Sequence, residues 1–371
     1  MASRIVVFGA TGYTGTLVAQ RLVALGERPV LAGRSAARLD PLAERLGGLE
    51  TAIADVARPG TVFDLLGEGD VIVSTVGPFA KWGDPAVRAA IAAAGTYIDS
   101  TGEPAFIRRV FEELGPAARR AGATLLTAMG YDFVPGALAG ALALEEAGED
   151  AVRVDVGYYA LGAGAGAMSA GTKASSVGIV LDPAHTFRDG RLQTVRSGER
   201  VRAFDVKGRE RPALSIGAAE HFSLPAAYPR LREVNVHLGW FGPLARALQG
   251  ASLATGLLTR VPGARGALRS AGERLVGLTS SPEPGETSEA LSWIVAEALD
   301  AGGRPLAEVH LSGADPYRYT GDFMAWAAQR AAQGRIEGTG ALGPVEALGL
   351  EALQAGCADA GLERVSPPVA A

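Results

Sequence analysis

Between Arg4 and about Met129, short runs of consecutive apolar residues alternate with stretches in which apolar positions recur every three or four residues. The runs Ile5 to Phe8, Val30 to Ala32, Thr51 to Ala54, Val71 to Thr75, Tyr97 to Asp99 and Thr124 to Thr127 predict strands. The stretches Tyr13 to Leu25, Ala36 to Leu46, Pro59 to Leu66, Pro85 to Ala94 and Pro104 to Ala121 predict helices, with Gly26, Gly95 and Gly122 as stops. Because the apolar runs are continuous, both faces of each strand must be covered, which is the condition of a parallel sheet between two layers of helices.

After Gly130 the pattern changes to longer strand-like runs separated by loops: Arg153 to Ala160, Leu214 to Gly217, Glu233 to Leu238, Ala290 to Leu299 and Leu306 to Ser312. The last two flank a glycine-rich hairpin signal that begins at Asp300. Helices are expected over this sheet at Ala170 to Leu181 and Gly321 to Ala332, with an amphipathic pair, Leu244 to Thr259 and Arg265 to Leu275, inside an inserted stretch at 243–278. The expected fold class is therefore α/β: an N-terminal doubly wound parallel sheet, then an α+β domain on a largely antiparallel sheet. The domains are expected at 1–130 and 131–335, with a segment at 336–371 that could pack back on the first.

Composition narrows the function. Acidic side chains outnumber basic ones by 40 to 35 and no basic block occurs, so a nucleic-acid partner is not expected. One cysteine, Cys357, and four histidines without ligand spacing argue against disulfides and a metal site, and a reducing cytoplasm fits. No export signal and no transmembrane stretch is read, since the longest charge-free run is broken by glycines.

The sharpest motif is Gly9-Ala-Thr-Gly-Tyr-Thr-Gly15, directly after the first strand and opening the first helix. A dinucleotide needs a tight turn, close approach of backbone to pyrophosphate, and a helix N-terminus facing the anion. Gly9, Thr11, Gly12, Tyr13 and Gly15 are accordingly candidates for holding a cofactor. An NAD-specific fold normally ends its second strand with a carboxylate, whereas this chain has Gly33-Arg34-Ser35. Arg34, Ser35 and Arg38 suit a 2′-phosphate, so NADPH is the expected cofactor. Asp55 is expected near the adenine, and Thr75, Gly77, Pro78 and Phe79 near the nicotinamide ribose.

Two related chemistries are excluded. None of the three lysines, Lys81, Lys173 and Lys207, lies four residues after a tyrosine, which removes the Tyr-x-x-x-Lys proton relay, and Cys357 is misplaced for an acyl-holding nucleophile.

The pieces Gly9 to Gly15, Gly33-Arg34, Val76 to Phe79, Gly95 to Glu103, Gly130 to Gly136, Ser169 to Thr172 and Asp315 to Gly321 together resemble the saccharopine dehydrogenase-like family, which includes saccharopine reductases and trans-acting enoyl reductases. The resemblance implies a Rossmann domain whose cleft faces an α+β domain, with NADP(H) as hydride carrier. It leaves the substrate open between an enoyl C=C bond and an imine C=N bond. The small neutral residues of the second-domain motifs and the inserted amphipathic stretch favour a less polar, lipid-like or carrier-bound substrate. Tyr131, Asp132 and Lys173 are candidates for the proton or for orienting the substrate, and Asp99, Glu103 and Thr172 for binding it. A homodimer is compatible with an exposed sheet, and a non-catalytic NADP(H)-sensing protein is the alternative from another class.

Overall fold

The computed structural model describes residues 3–161, 183–240, 242–258, 291–313 and 315–366. The helices expected at Ala170 to Leu181 and Arg265 to Leu275, and the candidates Thr172 and Lys173, lie outside these residues. The chain divides into two units, one of residues 1–101, 106–134 and 317–361, the other of 102–105, 135–316 and 362–371.

The first unit begins as its pattern dictates: β1 (Ile5–Phe8), α1 (Tyr13–Ala24), β2 (Val30–Gly33), α2 (Ala36–Arg45), β3 (Thr51–Ile53), α3 (Gly60–Phe63), β4 (Val71–Ser74), α4 (Phe79–Trp82), α5 (Asp84–Ala92), β5 (Thr96–Asp99), α6 (Pro104–Arg109), α7 (Gly115–Ala121) and β6 (Thr124–Leu126). Val6, Val7, Ile72 and Val73 are fully buried, as strands covered on both faces require. On α1 the buried positions Gly15, Val18, Ala19 and Leu22 form one helical stripe.

The single helix expected over Pro104 to Ala121 is divided by a π-helical turn, Val110–Leu114. Pro116 supplies no N–H to the carbonyl four residues back and crowds it, which a π turn relieves. A Cβ on Gly115 would stand 2.9 Å from the Ala341 Cβ, so this glycine admits a strand that the sequence pattern did not reveal.

In the second unit, α8 (Val134–Ala147) precedes β7 (Arg153–Leu161), β8 (Ala184–Arg188), β9 (Arg191–Val195), β10 (Val201–Asp205), β11 (Glu210–Ser215), β12 (Glu233–Leu238), β13 (Leu291–Leu299) and β14 (Pro305–Gly313). Beyond them come β15 (Gly340–Ala341) and β16 (Leu362–Val365). The first sheet is wholly parallel in the order β15-β6-β5-β4-β1-β2-β3. The second runs β10-β11-β12-β7-β13-β14-β16, with β8 and β9 joined at β12; it is mostly antiparallel, and β12 with β7 is parallel. The glycine-rich hairpin forms between β13 and β14, where the Asp300 carboxylate accepts the amides of Gly302 and Arg304, each at 2.9 Å.

Two glycines let α8 lie on the second sheet. A Cβ on Gly136 would stand 2.2 Å from the Tyr158 hydroxyl, and one on Gly140 would stand 2.9 Å from Leu224. The Gly136 amide donates to the Tyr158 hydroxyl at 2.7 Å, and that hydroxyl donates to the buried Glu220 carboxylate at 2.6 Å.

The helix expected at Gly321 to Ala332 begins earlier, at Pro316, and belongs to the first unit instead of covering the second sheet. Its small residues explain the placement: a Cβ on Gly321 would stand 2.6 Å from Leu17 Cβ, so the helix crosses α1 at close range. The segment expected at 336–371 carries two helices, Pro344–Leu348 and Leu350–Asp359, broken at Gly349, whose φ is +75°.

Candidate functional site

The glycine run turns at the carboxyl end of β1. Gly9 has φ +90° and its amide donates to the Ala32 carbonyl at 2.9 Å, which pins the loop to β2. The Gly12 amide returns to the Gly9 carbonyl at 2.9 Å, and Thr16 Oγ1 donates to the Ala10 carbonyl at 3.0 Å. From β4, the Thr75 hydroxyl donates to the carbonyls of Phe8 and Gly9, each at 3.2 Å.

What a Cβ would meet separates the three glycines. On Gly15 it would lie 2.3 Å from the Gly9 carbonyl oxygen and 2.8 Å from Thr75 Oγ1, and on Gly9 it would lie 2.7 Å from Thr75 Oγ1. Those two are required by packing within the fold. On Gly12 the contact is Gly9 O at 3.3 Å and nothing closer, so the space beside Gly12 is not filled by the protein. Gly12 is also the N-cap of α1, without a side-chain cap and with no acidic residue in the first turn. An open glycine beside uncapped helix amides fits a pyrophosphate.

The other expected cofactor residues stand along the same end of the sheet. Arg34 is exposed directly after β2, and Ser35 is the half-buried N-cap of α2. One turn on, Arg38 Nη2 donates to the Thr11 carbonyl at 2.9 Å and ties α2 to the glycine loop, a link that the sequence did not signal. Asp55 closes the turn after β3: its carboxylate accepts the Ala57 amide at 3.0 Å, and its own amide donates to Thr61 Oγ1 at 2.9 Å. Gly77 and Pro78 are joined by a cis peptide, and Phe79 is buried with its ring centroid 5.8 Å from that of Phe106. Tyr13 meets Tyr317 edge-on, with centroids 5.2 Å apart.

The two acidic candidates of this unit differ sharply. Asp99 is fully buried; its carboxylate accepts the amides of Thr101 (2.8 Å) and Ala128 (2.9 Å) and the Thr127 hydroxyl (2.8 Å). Burial raises its carboxyl to about 6, against the lowering effect of those donors. The geometry makes it an anchor between the loops after β5 and β6, with neither oxygen directed to solvent. Asp132, after β6, is partly accessible, yet the atoms crowded around it desolvate its carboxyl and raise it to about 6 as well. It has no hydrogen-bond partner among the described residues.

Tyr131 is buried at 3% exposure, its amide donating to Thr320 Oγ1 at 3.0 Å and its ring edge-on to Tyr319, centroids 6.3 Å apart. Glu103 is buried at 9% exposure in the short segment that groups with the second unit. The stretch Asp315 to Gly321 thus acquires local reasons: Tyr317 meets Tyr13, Thr320 holds Tyr131, the Tyr319 hydroxyl lies 3.2 Å from Cys357 Sγ, and Gly321 rests on α1. Helical spacing alone could not show these contacts, because their partners lie from 38 to about 300 residues away. Among the described residues no group of histidines, cysteines and acids could hold a metal.

A parallel Rossmann-like sheet with a glycine cradle at its carboxyl end, in one chain with a second unit on a mixed sheet, defines a two-domain α/β protein of the dinucleotide-binding type. Comparison with known proteins narrows the class. The chain is 40% identical over 139 residues to a Mycobacterium tuberculosis protein provisionally named a trans-acting enoyl reductase, and 36% identical over 137 residues to a trans-acting enoyl reductase of Mycobacterium ulcerans. Each match covers 35% of this chain and 33% of the relative, so the likeness spans about a third of the relatives' length. No protein-family model matches. Among solved structures, the apo saccharopine dehydrogenase (L-Glu forming) of Saccharomyces cerevisiae shares the fold over 98% of this chain and 100% of its own, with a TM-score of 0.62 at 15% identity. The likeness to the trans-acting enoyl reductases thus extends over about a third of the chain, and the likeness to saccharopine dehydrogenase is one of fold.

Proposed function

We propose that the protein is an NADPH-dependent reductase that transfers hydride to the polarised C=C bond of a relatively apolar enoyl substrate. The observation that carries this reading is the pairing, within one unit, of an unfilled glycine cradle with a desolvated, partly accessible carboxyl at Asp132. The cradle residues Gly9, Gly12 and Gly15 would hold the pyrophosphate, while Arg34, Ser35 and Arg38 would face the 2′-phosphate. NADPH, once bound, supplies the hydride.

This chain's own part is the proton. Hydride addition to the β-carbon of a conjugated carbonyl places negative charge on the oxygen and α-carbon, and an acid near its working pH completes the reduction most efficiently. Asp132, raised to about 6 and without a hydrogen-bond partner among the described residues, is suited to that role; Asp99 is occupied in holding the loops, and Tyr131 is buried against Tyr319. Names of the relatives support an enoyl substrate, and the shared fold of saccharopine dehydrogenase keeps an imine as the alternative test compound.

The test follows the loss of reduced-nicotinamide absorbance with an α,β-unsaturated thioester and with an imine. Turnover on the thioester should fall as pH rises through about 6, because the protonated acid is lost. Asp132→Asn should lower it by about 10²–10⁴ while leaving NADPH affinity unchanged. Turnover on imines alone would transfer the reaction to C=N reduction, and full activity in Asp132→Asn would remove the acid from its role.

A further inference from the structure

Thr320 lies in the helix Pro316–Ala332, 189 residues beyond Tyr131, and both it and the turn that carries Asp132 belong to the first unit. It is buried, and its Oγ1 accepts the Tyr131 amide at 3.0 Å. The approach is close. A Cβ on Gly130 would stand 2.9 Å from Thr320 Cγ2 and 3.1 Å from Thr320 Oγ1, so glycine at 130 is what lets the helix reach the backbone of the turn. Behind this contact the Tyr319 ring stacks on Phe323, with centroids 5.8 Å apart.

The remaining ties of the turn are local to the sheet end. The Ala128 amide donates to the Asp99 carboxylate at 2.9 Å and the Met129 amide to the Asp99 carbonyl at 2.7 Å. On the far side, the Phe133 amide donates to the Ala128 carbonyl at 2.9 Å and the Val134 amide to the Gly130 carbonyl at 3.1 Å. The residue immediately before Asp132 is held differently, by a side chain from a distant helix.

Packing, not charge, governs the Asp132 carboxyl, since burial is the cause of its rise to about 6. The titratable groups on the segments around the turn have other engagements. Asp99 takes Thr101, Thr127 and Ala128; Arg318 pairs with Asp322; burial holds the Tyr319 phenol well above its usual range and pushes the Cys357 thiol up to about 12. The helix α8, which follows the turn, carries no titratable side chain before Glu145.

We propose that Thr320 is a positioning residue for the acid: by fixing the Tyr131 amide, its hydroxyl sets the backbone turn that keeps the Asp132 carboxyl in its crowded place. This role rests on the proposed reading of Asp132 as the proton donor, but the state of that carboxyl can be read without turnover. Valine at 320 keeps the shape of the side chain and removes the acceptor. The Tyr131 amide then turns toward water, and water that enters with it resolvates Asp132. A carboxyl returned from about 6 to its ordinary 3.8 is protonated on the order of 10² less often at neutral pH, and the stronger acid recovers part of that loss.

The experiment compares the parent with Thr320→Val and Thr320→Ser by two readouts, with thermal unfolding as the control for folding. One is the pH profile of turnover on an α,β-unsaturated thioester. The other is carboxyl ¹³C NMR of the full chain labelled at aspartate, in which the Asp132 resonance is assigned by its loss in Asp132→Asn. In Thr320→Val both midpoints should move from about 6 toward 3.8, and turnover near neutral pH should fall by about tenfold or more with NADPH affinity unchanged. Thr320→Ser, which keeps the hydroxyl, should stay close to the parent. Thr320→Ala removes the same acceptor and stands in if the valine variant does not fold. A role confined to packing would lower Tm and leave the midpoint in place. An unmoved Asp132 midpoint in a folded variant without the hydroxyl, or a serine variant that behaves like valine, would overturn the proposal. A shifted NMR midpoint in a protein that turns over no thioester would instead remove the proposed reduction and leave the positioning of the carboxyl standing.

Discussion

Asp99→Asn should flatten the dependence of stability on pH. The carboxyl of Asp99 is raised from 3.8 to about 6 in the folded protein, chiefly by burial. Below pH 3.8 it is protonated in both folded and unfolded chains. As pH rises toward about 6 the unfolded chain gives up its proton while the folded one retains it, so the folded state loses stability across that window and levels off above it. At 1.36 kcal/mol for each tenfold change in acidity, the loss is on the order of 3 kcal/mol, with no discount for solvent screening because the group is fully buried. Asparagine retains one acceptor oxygen for the Thr101 and Ala128 amides, and its amide can donate to the Thr127 hydroxyl, so the geometry tolerates the change. Urea unfolding of parent and variant at intervals from about pH 4 to about pH 7 measures the difference, in which the titrations common to both proteins cancel. The parent should lose roughly 2 kcal/mol more than the variant across this range, the rest of the change falling below pH 4. Parallel profiles would refute the assignment of a buried, proton-retaining carboxyl to Asp99.

The glycine run offers a paired test: Gly12→Val should abolish NADPH binding with little change in Tm, since the space beside it is open, whereas Gly15→Ala should destabilise by about 1–3 kcal/mol because its Cβ would meet the Gly9 carbonyl at 2.3 Å. Thermal unfolding and fluorescence titration distinguish the two, and normal NADPH affinity in Gly12→Val would displace the phosphate loop. Tyr158→Phe removes a hydroxyl that joins the Gly136 amide to the Glu220 carboxylate and should cost about 1–3 kcal/mol in urea unfolding; a neutral result would show that these groups find other partners.

The parallel sheet was legible because most of its first six strands are runs of largely buried residues bounded by turn chemistry, the edge strand β3 being the exposed exception, and the hairpin after β13 because Asp300 and its glycines encode it locally. The seventh strand was not, since two residues, Gly340 and Ala341, carry no period and pair with β6 through long-range contact. Nor were β8 to β10 anticipated; their burial alternates irregularly, and the β8–β9 and β10–β11 pairs turn at Gly190 and Gly208, whose φ values are +71° and +73°. At the candidate site, the positions of the glycine run after β1 and of Arg34 after β2 could be read from spacing alone. The distinction between Asp99 and Asp132 could not: both stand at or beyond the carboxyl end of a strand of the same sheet, and only the three-dimensional neighbours reveal that one carboxylate is consumed by Thr101, Thr127 and Ala128 while the other is desolvated without a hydrogen-bond partner among the described residues.

The central claim is that the carboxyl end of the first sheet holds NADPH through the glycine cradle and Arg34. Titration of the protein with NADPH and with NADH, repeated on Arg34→Ala, tests it most directly. NADPH should bind more tightly than NADH, and Arg34→Ala should weaken NADPH by about 1.5 kcal/mol, roughly tenfold for an exposed charge-assisted contact, with NADH nearly unaffected. Equal affinity for the two cofactors, or equal losses for both in the variant, would contradict it.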